Sequence, residues 1–361
     1  MKRPLFAVVM AGGSGTRFWP LSRASRPKQF QRIASAKTMI EESIERARSV
    51  TARDRILVVG AKGHEESLRE TCRGVPPENL LLEPVGRDTA AAIGLATLAV
   101  EKRRKDALML VLPADHLVRP VEEFAKAVRQ GARWVEESDD LVTFGIRPDH
   151  PATGYGYLER GERLTRSRPL EAYRVARFHE KPDLETARQF LAGGRHYWNG
   201  GIFLWRAARI RREIARHLPR LAKRLDRIGR ALGTAAEGKV LEREYRAMEK
   251  ISIDYGVMEN AKGVAVVVAT FRWDDLGGWE ALARHLAAGS DGNRARGEHV
   301  SIEGRDLLVV APKGHLVGTI GVEGLAIVVT GDATLVCPKS RAQEVKKLVE
   351  RLRETGREKW T

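Results

Sequence analysis

The sequence predicts an α/β protein: a mostly parallel sheet with helices on both faces, then a small β-rich domain towards the C-terminus. Three observations predict it. In the first part of the chain, short apolar runs alternate with longer amphipathic stretches. A middle region breaks that rhythm with β-like pieces set among Gly, Pro and Asn. Beyond Asn293 only short strands separated by glycine-bearing turns remain, until a charged helix closes the chain.

In order, Leu5–Ala11, Ile56–Gly60, Ala107–Leu112 and Leu141–Gly145 read as buried strands. Between them, Met39–Ser49, His64–Cys72, Ala90–Lys102 and Val121–Glu136 read as helices. This alternation is Rossmann-like, and ligands of such sheets gather beyond the carboxyl ends of the strands. That rule selects loops 12–17, 113–116 and 145–156. Gly154–Glu159, Val175–Pro182 and Gly201–Trp205 read as insertions that close over a site. In residues 206–230, Ile210, Ile214, Leu218, Leu221, Leu225 and Ile228 recur at steps of three and four. The spacing predicts an amphipathic helix interrupted near Pro219. The linker Gly289–Asn293 marks a boundary near 288–297, giving domains 1–290 and 291–361. The second contains strands at Val300–Ile302, Leu307–Val310, Leu316–Gly318, Ala326–Val329 and Thr334–Val336, then the helix Ala342–Thr355.

Composition excludes several classes. Hydrophobic residues are 43% of the 361 and charged residues 30%, a globular balance rather than a disordered one. No apolar run approaches the roughly 18 residues of a membrane span, so no membrane partner is expected. Lys2 and Arg3 precede an apolar stretch, but glycines and Arg17 follow it where a cleavage site would stand, so it reads as a strand rather than a signal peptide. Cys72 and Cys337 alone make neither a disulfide framework nor a zinc site, and a reducing cytoplasm is the natural setting. The net charge is +16, and residues 206–230 hold ten Lys/Arg against two acids. These charges read as the solvated face of the helix. No aromatic residues are interleaved for base stacking, so no nucleic-acid partner is expected. A basic surface also attracts small anionic substrates.

The first strand runs into Ala11-Gly12-Gly13-Ser14-Gly15-Thr16-Arg17. Glycines let backbone N–H groups approach phosphate oxygens. The loop lacks the closing GK[ST] of a Walker A, and Phe18 occupies the third glycine position of the dinucleotide fingerprint. Arg17 and Lys28, the latter in Pro27-Lys28, supply two cations near one loop. Cleavage of a triphosphate needs such cations for the charge developing on the leaving pyrophosphate. Asp115 follows the strand Ala107–Leu112, at the carboxyl edge. A helix cap or turn residue is its structural alternative, and a turn residue is that of Asp275.

Gly12-Gly13-x-Gly15-x-Arg17 with Pro20-Leu21 and Pro27-Lys28 resembles the signature of sugar-1-phosphate nucleotidyltransferases. Further segments are similar, in register, to motifs of mannose-1-phosphate guanylyltransferases (GDP-mannose pyrophosphorylases) over roughly residues 5–337. They are Glu83–Ala90, Leu112–His116, Glu180-Lys181-Pro182, Trp198–Phe203, Ile253–Glu259 and Trp273–Trp279. Asp88, Ala91, Gly200, Asp274 and Gly278 depart from the residues common in that family.

The resemblance implies transfer of GMP from GTP to mannose 1-phosphate with release of pyrophosphate. It pairs Asp115 and Asp275 as ligands of Mg²⁺, with Asp274 the less favoured competitor of Asp275. Arg17, Lys28 and Lys181 become the catalytic cations, Lys181 facing the sugar phosphate. Gly12, Gly13 and Gly15 approach the nucleotide phosphates, and Glu83 and Arg87 lie near the nucleotide. Gly156, Glu180 and Asn199 serve the hexose. Trp198, Phe203 and Trp205 read as core, and His116 as a packed or capping residue. The C-terminal strands resemble the short left-handed β-helix of some relatives, which is expected to build a homodimer contact. The chain is too short for the isomerase domain many relatives carry, so no isomerase activity is expected. The alternatives are another hexose 1-phosphate or nucleotide, or a non-catalytic subunit that binds nucleotide sugars.

Overall fold

The computed structural model describes residues 2–13, 15–164 and 170–361, so Ser14 of the glycine loop lies outside the described residues. The chain forms two compact units. One comprises Met1–Gly12, Ser43–Ala114 and Val118–Trp273, the other Gly13–Glu42, Asp115–Leu117 and Asp274–Thr361.

The elements of the first unit run β1 (Leu5–Ala11), α1 (Met39–Arg48), β2 (Ile56–Ala61), α2 (Glu65–Thr71), β3 (Leu80–Glu83), α3 (Asp88–Arg103), β4 (Leu108–Pro113), β5 (Leu117–Arg119), α4 (Val121–Ser138), β6 (Leu141–Ile146), β7 (Gly156–Arg163), β8 (Ala172–Glu180), α5 (Leu184–Gly193), β9 (His196–Arg206), α6 (Ala207–His217), α7 (Pro219–Ala231), α8 (Glu237–Arg246), β10 (Val264–Val268) and β11 (Arg272–Asp274). The first turn of α1, the start of β5 and the end of β11 belong to the other unit. Among the described residues the main sheet has nine strands, ordered β3-β2-β1-β4-β9-β6-β10-β8-β7.

Strands β3, β2, β1 and β4 are parallel, as the strand–helix alternation predicts. Strand β9 then enters antiparallel to both β4 and β6. Its far end also pairs with β7, which closes β6, β10, β8, β7 and β9 into a ring. The middle region is thus not a set of short insertions but part of the main sheet. Strand β10, Val-Ala-Val-Val-Val, is buried at every position and pairs parallel to β6. A continuous β-branched run suits a strand covered on both faces.

Helix α3 shows why a run of small residues occurs where it does. It is buried from Ala90 to Leu98, and a Cβ at Gly94 would stand 2.4 Å from Leu225 of α7. Helices α6 and α7 meet at Pro219, whose ring suits the first turn of α7. Their basic residues take part in ion pairs within the unit. Arg211 joins Glu101 and Asp226, Arg209 joins Glu213, and Arg224 and Arg227 share Glu244.

The second unit carries α9 (Trp279–Arg284), β12 (Arg294–Arg296), β13 (Glu298–Ile302), β14 (Leu308–Val310), β15 (Leu316–Ile320), β16 (Leu325–Val329), β17 (Thr334–Pro338) and α10 (Val345–Glu354). Strands β12, β14 and β16 stack in parallel, as do β13 and β15. Successive turns of one coil give this pattern, and β17 ends it by pairing antiparallel to β16. Phe18, Trp19, Trp279, Leu308, Val310, Ala326 and Val328 share one core. Trp279 Nε1 donates to the Trp19 carbonyl at 3.0 Å, and Trp19 Nε1 donates to the Trp360 carbonyl at 2.6 Å. No helix among the described residues is long and apolar enough to cross a membrane.

Candidate active site

The second unit holds Gly13, Gly15, Arg17, Lys28, Asp115 and Asp275. Gly15 has φ +58°, and a Cβ there would lie 2.2 Å from Cβ of Lys28. Only glycine allows this approach. Lys28 thereby enters the interior, its side chain 5% exposed. Its ammonium donates to Asp115 Oδ2 at 3.0 Å and to the Asp275 backbone carbonyl at 2.6 Å. It also lies over the Phe18 ring, 5.8 Å from the centroid. Lys28 therefore ties the Asp115 carboxylate to the backbone carbonyl of Asp275, from a distant segment.

Burial pushes the Asp115 carboxyl up. The charge of Lys28, then that of His116, then the Lys28 hydrogen bond outweigh it and hold the group below its ordinary value. Asp115 is a carboxylate at neutral pH. Gly13 belongs beside it, since a Cβ there would stand 3.9 Å from Asp115 Oδ2. Arg17 is the middle residue of the turn Thr16–Phe18, and its Cβ lies 3.8 Å from where a Cβ of Gly278 would be. His116 sits 4.0 Å from Asp115 Oδ1.

The structure separates Asp274 from Asp275. Asp274 is buried and accepts from Leu276 N, Arg284 Nη2 and His285 Nε2 at 2.8–2.9 Å. It fastens its own loop, whereas Asp275 lies at Lys28.

The first unit holds two further groups. Gly12 follows β1, and a Cβ there would be 3.6 Å from Glu83 Oε2. Glu83 is buried and accepts the Tyr245 hydroxyl. Burial raises its carboxyl above the ordinary value although that hydrogen bond opposes the shift. Arg87 donates to the Arg246 carbonyl at the end of α8.

The other group surrounds the end of β8. A Cβ on Gly156 would stand 2.6 Å from Glu180 Oε2, so glycine leaves that carboxylate its room. Lys181 has φ +47°, and its ammonium lies 2.6 Å from Glu180 Oε1. That hydrogen bond raises the lysine's affinity for its proton. Asn199 accepts from Thr143 Oγ1 at 2.9 Å and donates to Asp254 Oδ1 at 2.8 Å, which fixes its amide orientation. Trp198, Phe203 and Trp205 are buried, as expected of core residues. Asp254 is the residue sequence reasoning missed. It sits inside the quoted Ile253–Glu259 motif, yet nothing in the sequence links it to Asn199. Burial, with Glu180 nearby, pushes it up to about 6.

Comparison with known proteins decides the family. The family described as Nucleotidyl transferase matches residues 6–290, and the MannoseP isomerase/GMP-like beta-helix domain matches residues 297–352. The chain is 39% identical to mannose-1-phosphate guanylyltransferase of Escherichia coli K12 over 98% of its own length and 74% of that protein's. The chain belongs to the nucleotidyl transferase family. The corresponding Salmonella typhimurium guanylyltransferase is likewise 39% identical, with the same coverage of both chains. A crystal structure described as a mannose-1-phosphate geranyltransferase from Thermus thermophilus is 38% identical, with a TM-score of 0.87. That likeness covers 97% of this transferase and 99% of the Thermus chain. The β-helix match falls on the coil of β12 to β17, so the α/β class with a parallel-containing sheet and the β-helix-like second part both stand, the main sheet being mixed rather than mostly parallel.

Proposed function

We propose that this transferase joins GMP from GTP to mannose 1-phosphate, giving GDP-mannose and pyrophosphate. One observation carries the chemistry: the buried Lys28 ammonium that ties Asp115 to the Asp275 backbone. Full-length similarity to guanylyltransferases supports the choice of substrates.

The attacking oxygen belongs to a phosphate monoester already ionised at neutral pH, so no protein base is needed. The obstacle is repulsion between anions, which positioned cations and in-line geometry relieve. Gly12, Gly13 and Gly15 offer backbone N–H groups to the triphosphate. Arg17 and Lys28 take up the charge developing on the leaving pyrophosphate. Lys181 holds the phosphate of the sugar ester, while Glu180 and Asn199 bind hexose hydroxyls beside Gly156. Glu83 and Arg87 serve the nucleotide, Glu83 through its remaining lone pairs.

Asp115 and Asp275 fit a hard divalent ion such as Mg²⁺, which prefers one or two carboxylates with phosphate oxygens and water. The ionised state of Asp115 supports this. When bound, the ion supplies electrostatic neutralisation of the phosphates. The setting is the cytoplasm, and the working form is a homodimer. Its contact is the outer face of the coil, where Val300, Ile302, Leu316 and Ile320 are each more than half exposed.

A pyrophosphate-release screen tests the reading. Four nucleoside triphosphates are offered with mannose, glucose and fucose 1-phosphates, with and without Mg²⁺. GTP with mannose 1-phosphate and Mg²⁺ is expected to lead by about tenfold or more. Preference for another pair, or no release, overturns the proposal.

A further inference from the structure

On the same three strands that carry Gly156, Glu180 and Asn199, a carboxylate and two imidazoles come together. Glu159 lies on β7, His179 on β8 and His196 at the start of β9. Register puts them on one face. Glu159 is opposite His196, and Tyr157, two residues earlier on β7, is opposite His179. One donor atom from each of the three lies within 4.8 Å of the others, the sole such trio of His, Cys, Asp or Glu among the described residues.

The two imidazoles lack satisfaction. His179 Nε2 is 3.9 Å from Glu159 Oε2, beyond hydrogen-bond reach. That nitrogen and His196 Nδ1 are buried with no hydrogen-bond partner among the described residues. A buried, unpaired ring nitrogen costs stability unless something takes it up. Phe190 of α5 stacks on His196 at 3.9 Å between centroids and lies 4.8 Å from His179, so one wall is apolar. Burial, reinforced by Arg177, lowers the His179 pKa against the pull of Glu159, and burial lowers that of His196. Neutral imidazoles carry the lone pairs a metal needs.

We propose that Glu159, His179 and His196 form a binding site for a divalent transition-metal cation of the zinc class, which clamps β7, β8 and β9 together. Two imidazoles and one carboxylate suit such a borderline ion and not magnesium. Donors around tetrahedral zinc stand about 3.4 Å apart, so modest side-chain rotation closes the trio. Arg177 and Arg195 lie near the rings and oppose a cation, while the Glu159 charge favours it.

The full chain, without a histidine tag, is stripped with chelator and titrated with Zn²⁺ alone, and in parallel with Co²⁺. One zinc per chain by elemental analysis is expected, with visible absorption of four-coordinate cobalt and a melting temperature that rises with zinc concentration. The double variant H179Q/H196Q is expected to lose all three signals. Glu159→Gln, where folding is least at risk, is expected to weaken binding at least about tenfold. Asp115→Asn is expected to keep its zinc. Absence of stoichiometric zinc in the natural chain, wild-type binding in Glu159→Gln, or loss of zinc in Asp115→Asn each overturns the proposal.

Discussion

Lys28 is a charged side chain held in the interior by two oxygens from distant segments. Its removal strands Asp115 without its main counter-charge. Lys28→Ala is therefore expected to lower kcat for pyrophosphate release by about 100-fold or more. It also carries a pH signature. The Asp115 pKa lies below its ordinary 3.8, so the group contributes stability above that value and loses it as pH falls. In Lys28→Ala that acid-side loss is expected to shrink, leaving only what His116 and the backbone sustain, in melting temperatures measured between about pH 3 and 7. An unchanged acid limb would remove Lys28 as the cause. Asp274 and Asp275 make the complementary point. Of the two adjacent acids, Asp274 turns its carboxylate to Arg284 and His285, whereas Asp275 meets Lys28 through its backbone carbonyl.

At the level of elements, two glycines act in different ways. Gly15 is required by the backbone: its φ is positive, and Lys28 Cβ and N would crowd a Cβ at 2.2 and 3.0 Å. Gly15→Ala is expected to cost about 2–4 kcal/mol, the sum of left-handed strain and overpacking. Gly156 is different, because a Cβ there meets the far end of the Glu180 side chain at 2.6 Å and the Phe178 ring at 3.1 Å. Side chains can shift. Gly156→Ala is expected to keep the fold while raising the KM for mannose 1-phosphate about tenfold. Denaturant titration together with separate KM values for the two substrates distinguishes the pair. Equal losses in both variants would contradict the assignment. The strand β9 illustrates the same scale. Its sequence shows only a short apolar end at Gly201–Trp205, yet it is eleven residues long because β4, β6 and β7 each supply it with partners.

For the whole molecule, the coil leaves a row of apolar side chains in water. Register makes the row: Val300 lies opposite Gly318 and Ile302 opposite Ile320, with Leu316 on the same face. The double variant I302E/I320E is expected to sediment as a monomer at a concentration where the natural chain is a dimer. Both residues are exposed, at 57% and 71%, so its melting temperature should fall only through lost association. A natural chain that sediments as a monomer would end the dimer reading. The net charge of +16 also changes meaning at this scale, since many arginines of α6 and α7 are engaged with Glu101, Asp226, Glu213 and Glu244.

The sequence by itself determined the strands that are apolar throughout, the helix pair broken at Pro219 and the order of the motif segments. Those signals are local, being set by side-chain period, by the proline ring and by runs of adjacent residues. It also marked Lys28, Asp115 and Asp275 as residues of one chemistry through likeness to a family. Only the tertiary structure decided that Lys28 is the post joining the two acids, that Asp254 orients Asn199, and that Glu159, His179 and His196 share a face. Each of these depends on strand register or on chain segments many residues apart. Distance in space between such segments is fixed by packing and pairing, and no local pattern of residues encodes it.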